Sequence, residues 1–249
     1  MSASRCPVRS GLRELKKART RRLIADTAAR LFAERGYEHV TVSDVAREAE
    51  VAEQTVYNHF ATKEQLVTDR EQQVQDRLVD LIRSRPPATT PAAAIRDFVL
   101  EAVAGIPRIP PELWRGELGY LAAISPAVRR LLLELTGRQA AVLAGAISDT
   151  TAVPPEIARL QGIALAAVFQ IIISEAGRRT LEGQSQAEIA DELHPIVENI
   201  LNELDRWLSV LGLPEASIRA VRKKKDFYPE RAVRWERDRS SRGPRGAAR

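Results

Sequence analysis

The sequence predicts an all-α protein. Ala, Leu, Arg and Glu abound in a chain of 249 residues that is 44% hydrophobic but only 5% aromatic. Such a composition favours helix over strand. Apolar residues recur at three- and four-residue spacing along most of the chain, and no stretch shows the convincing two-residue alternation of a strand. Proline and glycine collect between the periodic stretches, at residues 85–91, 106–111 and 212–214, where they separate helices.

Taken in order, residues 1–12 read as a disordered arm. A long helix follows over 13–35, with Leu23, Ala28, Leu31 and Phe32 on its buried side and Gly36 at its C-cap. Thr41 and Asp44 have capping-box spacing, with Asp in place of the usual Glu or Gln, so a helix starts near Val42. Val42, Val45, Ala46 and Ala49 give it one apolar face. Residues 50–52 form a short break, and a second short helix runs over 53–59 with Val56 and Phe60 inward. Gln54, Thr55, Tyr57, Asn58 and His59 supply its polar tips. Two short helices joined by a tight turn, the second rich in hydrogen-bonding side chains, suit a DNA major groove.

Thr62 is placed to cap a helix over 63–83. Further helices are predicted over 91–105, 111–124, 126–148, 155–182 and 186–211, the last expected to kink at Pro195. The domain reading is a helix-turn-helix unit at 13–67, a helical body at 68–213 and a basic tail at 214–249.

Charge is unevenly distributed. Residues 1–22 hold eight Lys/Arg against one acid and residues 214–249 hold twelve against five, so each end carries +7 while the whole chain is +5. Two basic ends on an acidic body suit polyanion contact, and also serve solubility alone. The first helix opens with Arg13, Lys16, Lys17, Arg19, Arg21 and Arg22, read as a phosphate-contacting cluster, the alternative being a solvated face.

Several function classes find no support. The single Cys6 allows no internal disulfide and no cysteine metal cage, and His39, His59 and His194 are isolated. There is no glycine-rich phosphate loop and no nucleophile in a catalytic motif, so no enzyme activity, cofactor or metal is expected. No uninterrupted apolar run reaches the roughly 18 residues of a membrane span, and no signal peptide is evident, so a cytoplasmic protein with no membrane partner is expected.

The run Ala28–Leu31–Phe32, Gly36–Tyr37, Thr41–Val42, Val45–Ala46, Ala49, Val51, Thr55–Val56–Tyr57, His59–Phe60 and Lys63–Glu64–Leu66 resembles, in order and spacing, the DNA-binding domain of the tetracycline-repressor (TetR) family. The resemblance covers residues 20–67. Two positions depart from it: Glu50 stands where the family usually has Gly, and Ala52 where it often has Ser.

The resemblance implies an N-terminal DNA-binding unit followed by a helical dimerisation and effector-binding domain. By position it makes Thr55, Tyr57, His59 and Lys63 phosphate-contacting residues, and Thr41 and Ser43 backbone contacts at the start of the second helix. Gln54 and Asn58 are the candidate base readers, because a side-chain amide pairs bidentately with adenine. The alternatives are a packed role for Tyr57 and a structural hydrogen bond for His59. The implied effector pocket takes Phe98, Trp114, Leu118, Tyr120, Leu121 and Phe169, with Gln170 and Glu175 as polar members, each equally at home as core or surface.

The helices over 155–182 and 186–211 carry more apolar surface than one face needs, which points to a homodimer through these last two long helices, against a large monomer core. The resulting expectation is a dimeric repressor on a near-palindromic double-stranded operator, released by a small-molecule effector. The rivals are an effector-independent regulator or activator and, well behind, an all-helical enzyme.

Overall fold

The structure, a computed structural model, describes residues 8–211, with side chains described over 13–210. Residues 1–7 of the arm expected over 1–12, and the whole basic tail at 214–249, lie outside the described residues. Eleven α-helices and one 3-10 turn, with no strand, make up the described part: α1 Val8–Arg35, α2 Val42–Glu48, α3 Glu53–His59, α4 Lys63–Val67, α5 Asp69–Ser84, α6 Pro91–Ala104, the 3-10 turn Ile106–Arg108, α7 Pro111–Trp114, α8 Leu118–Ile124, α9 Pro126–Ser148, α10 Pro155–Leu181 and α11 Gln186–Leu211.

Helix α1 begins at Val8, upstream of the expected residue 13. Its buried stripe is Ile24, Ala28, Leu31 and Phe32. Leu23 is corrected: it lies at the edge of that stripe and is 50% exposed, while its neighbour Ile24 takes the core position. Gly36, at φ 80°, closes the helix and donates its N–H to the Phe32 carbonyl at 3.0 Å.

Two predicted helices are each broken in two. The helix expected over 63–83 is interrupted at Thr68, whose hydroxyl donates to the Glu64 carbonyl at 3.2 Å. Asp69 and Glu71 then open α5 as first-turn acids, where the helix dipole favours them. The helix expected over 111–124 is broken around Gly116, which is pressed against α1. A Cβ there would sit 1.8 Å from the Ala29 carbonyl oxygen, so only glycine lets the segment dock.

The last two helices follow their predicted ranges closely. α11 continues through Pro195, which lies on the exposed face, where water can satisfy the carbonyl that proline leaves without a donor. α10 holds a window long and apolar enough to cross a membrane by length and composition, which qualifies the sequence reading. Here it packs as a core helix. Added Cβ atoms at its Gly162 and Gly177 would meet the Ala140 and Gly119 carbonyl oxygens at 2.4 and 2.0 Å, so backbone lies on backbone against α9 and α8.

The described residues as far as Leu208 form one compact unit. Its helix-turn-helix end and its body share a continuous core: Ile24, Leu31, Phe32, Val45, Val56 and Phe60 pack in one cluster with Leu118, Leu121, Val128 and Leu132. Polar ties join α6 to α11. Thr90, the N-cap of α6, donates to Asp205 at 2.5 Å, and Arg96 pairs with Glu198 at 2.6 Å.

Candidate nucleic-acid interface

Helix α2 starts on the predicted capping box. The Thr41 hydroxyl accepts from the Asp44 N–H at 3.1 Å, and the Asp44 carboxylate accepts from the Thr41 N–H at 2.9 Å and from its hydroxyl at 2.6 Å. These bonds hold the Asp44 carboxyl down at about 2. Thr41 therefore has its hydroxyl proton engaged within the cap, while Ser43 is exposed beside it.

The turn between α2 and α3 is a Schellman motif. Val51 N–H reaches the Ala46 carbonyl at 3.0 Å and Glu50 N–H the Arg47 carbonyl at 3.2 Å. Glu50 occupies the position that glycine favours, with φ 54°. Helix α3 then starts at Ala52 without a side-chain cap.

From this turn α3 presents one polar face. Val56 and the following Phe60 are buried, while Gln54, Tyr57 and Asn58 are exposed and Thr55 and His59 half-buried. Tyr57 is 44% exposed, so it is not a packed aromatic. Gln54 Nε2 donates to Asn58 Oδ1 at 3.3 Å, which holds the two candidate base readers side by side one helical turn apart. His59 has no structural hydrogen bond through Nδ1, which is buried without a partner. Burial lowers its pKa, and the charges of Arg21 and Lys17 add to the effect.

Lys63 stands at the first turn of α4, where Thr62 caps by accepting from Gln65 N–H at 3.4 Å. Its ammonium lies 4.1 Å from the centre of the Tyr37 ring. Burial pushes the Lys63 pKa down, and Glu38 and Glu64 oppose that. The Tyr37 hydroxyl faces Glu64 at 3.4 Å, and its pKa is pushed up to about 12 by burial first and by that carboxylate second. No spacing in the sequence points to Tyr37 as the support of Lys63, because the two lie on different segments brought together by the fold.

The basic cluster of α1 divides. Arg21 turns inward: its guanidinium pairs with Asp69 at 2.5 Å, donates to the His59 carbonyl at 2.5 Å and lies 4.3 Å from the Phe60 ring centre. It thus ties the end of α3 to the start of α5. Arg22 faces Asp26 at 3.6 Å, whereas Arg13, Lys16, Lys17 and Arg19 remain exposed.

The eight residues expected in an effector pocket differ in burial, with Glu175 half-buried and paired with Arg178 at 2.7 Å. Leu118, Leu121 and Phe169 are buried in the core. Phe98, Trp114, Tyr120 and Gln170 are half-buried, and Trp114 donates its indole N–H to Thr180 at 2.9 Å. None of the eight lines either of the two clefts beside α5.

Two short helices on a Schellman turn, the second with an exposed amide pair and flanked by a supported lysine, have the form of a helix-turn-helix. Residues 24–69 match the family model of the bacterial regulatory proteins of the tetR family. The chain is 29% identical over 150 residues to the HTH-type transcriptional regulator TcmR of Streptomyces glaucescens, covering 60% of this chain and 62% of that one. It is 34% identical over 84 residues to the HTH-type transcriptional regulator AlkX of Mycobacterium tuberculosis, covering 33% of this chain and 40% of that one. The chain thus spans less than two thirds of either relative, and both relatives are transcriptional regulators rather than enzymes. The crystal structure of NalD, the secondary repressor of the MexAB-OprM multidrug efflux pump in Pseudomonas aeruginosa, aligns at 20% identity over 77% of this chain and 96% of that one, with a TM-score of 0.47.

Proposed function

We propose that this protein is a cytoplasmic, dimeric transcriptional repressor that binds a near-palindromic operator through α3 and leaves it on binding a small-molecule effector. The observation that carries this reading is the polar face of α3. Gln54 and Asn58 are exposed and adjacent, with Tyr57 and Lys63 flanking them. Amides at that spacing suit base edges, and the phenol and ammonium suit phosphate oxygens. Thr55, His59 and Ser43 complete the phosphate contacts, while Thr41 acts mainly by fixing the start of α2.

Dimerisation through α10 and α11 is supported by apolar side chains left open on both helices: Leu160, Ile163 and Ile171 on α10 and Ile196 on α11. In this reading residues 13–67 serve DNA and 68–213 serve dimerisation and effector response, with the exposed cations of α1 assisting at the backbone.

The test begins by selecting bound sites from random duplex DNA with the full chain, then measures affinity against salt. Tyr57→Phe with Lys63→Ala is expected to flatten the slope of log K against log salt by about one for each phosphate that a subunit no longer neutralises. Asn58→Ala is expected to change the selected motif more than the overall affinity. An unchanged salt slope would remove the phosphate assignment, and an unchanged motif would remove Asn58 as a reader.

A further inference from the structure

A cleft of about 640 Å³ opens where the helix-turn-helix unit and α5 face α9. Several of its lining side chains are polar without a hydrogen-bond partner among the described residues, His59 through Nδ1 among them, and two of these are central here. Gln139 on α9 is only 8% exposed, yet its amide makes no hydrogen bond with the described residues. Glu71 on α5 also lines the cleft and makes neither a hydrogen bond nor an ion pair there. Its neighbour Arg70 points its charge elsewhere, to Glu117 at 2.9 Å. Burial, with the Glu117 charge second, pushes the Glu71 pKa up to about 7.

The nearby cations do not satisfy this carboxylate. Arg21 is committed to Asp69 and to the His59 carbonyl. Arg138 is exposed and carries no ion pair among the described residues. Leu135 and the 39%-exposed Val142 give the cleft an apolar wall on the same helix as Gln139. A carboxylate and an amide oxygen beside an apolar wall are complementary to a cationic N–H donor carried on hydrocarbon. An anion would instead meet the charge of Glu71.

We propose that this cleft binds a small organic ammonium compound, whose N–H groups donate to Glu71 and the Gln139 carbonyl and whose hydrocarbon lies on Leu135 and Val142. The lining of this site includes none of the eight residues that family resemblance assigned to an effector. His59, the last residue of α3, lines the same cleft with Thr68 and Asp69. Occupancy therefore reaches the C-terminal end of α3. Any consequence for DNA contact rests on the DNA-binding reading; the site itself does not.

The experiment is calorimetric titration and thermal unfolding of the full chain at pH 8 with millimolar benzylammonium and cyclohexylammonium chlorides, with benzyl alcohol and sodium benzoate as matched controls. The ammonium probes are expected to bind and raise the melting temperature, and the controls are not. Glu71→Gln is expected to weaken ammonium binding at least tenfold, and Gln139→Leu to weaken it independently. Failure of both ammonium probes to bind, preferential binding of benzoate, or unchanged ammonium binding in Glu71→Gln would each overturn the proposal. Duplex-DNA binding by wild type and Glu71→Gln without amine is measured in parallel. Absence of DNA binding by the wild type would remove the proposed function while leaving the amine result to stand or fall alone.

Discussion

Glu71→Gln should stabilise this protein at neutral and alkaline pH but not at pH 4.5. The Glu71 carboxyl rises from 4.5 to about 7, first through burial and then through Glu117, with Arg70 acting in the opposite direction. Arg138 and the Arg21–Asp69 pair also line its cleft. The folded state therefore holds this proton more tightly than the unfolded chain does. A group raised in this way costs nothing below its unfolded pKa, and its cost grows as pH climbs towards the folded value. The full penalty, reached above pH 7, is about 3 kcal/mol. Glutamine keeps the shape and removes the charge, so the variant should lack this fall in stability between about pH 4.5 and 7. The assay is urea unfolding of both proteins at half-unit steps from pH 4.5 to 8.5. The curves should converge at the acid end and separate by about 3 kcal/mol at the alkaline end. Parallel curves across the whole range would refute the reasoning, because they would mean that Glu71 titrates alike in both states.

Glu50→Gly should raise stability by about 0.5–1 kcal/mol, since it relieves a left-handed residue costing about 1–2 kcal/mol against the extra unfolded-state entropy of glycine. Thermal unfolding reads this as a rise of about 2–4 °C per kcal/mol, and a fall would mean that the Glu50 side chain contributes more than its φ of 54° costs. Gly116→Ala should destabilise by about 3 kcal/mol through the clash with Ala29. Gly137→Ala, with nothing within 4 Å of the added methyl, should instead stabilise by about 0.5–1 kcal/mol, and equal effects at the two sites in denaturant titration would argue against a close α1 contact.

Helix α2 was legible because Thr41 and Asp44 state its start within four residues, and α9 because Pro126 can open a helix. Glu50 stood out in the sequence only because the resembling family usually has Gly there, and its φ is 54°. The polar face of α3 could be read from its own period: once α3 starts after Ala52, its periodicity decides that Val56 is inward and Gln54 and Asn58 outward. These are local constraints, carried by residues a turn or less apart.

Contacts between segments distant in sequence decided the rest. The break at Gly116 depends on α1 lying across it, and the inward turn of Arg21 depends on Asp69, 48 residues away. No spacing in the sequence announces either, because apolar periodicity shows that a face is buried and not what covers it. The same limit explains why Glu71 and Gln139, 68 residues apart, were not read from the sequence as lining one cleft. The sequence by itself determined the all-α class, most helix boundaries and the exposed polar face of α3, since caps and helical period are written locally. Only the tertiary structure decided which cations are engaged, where long helices break and which buried polar groups face a cavity, since those depend on packing between helices far apart in the chain.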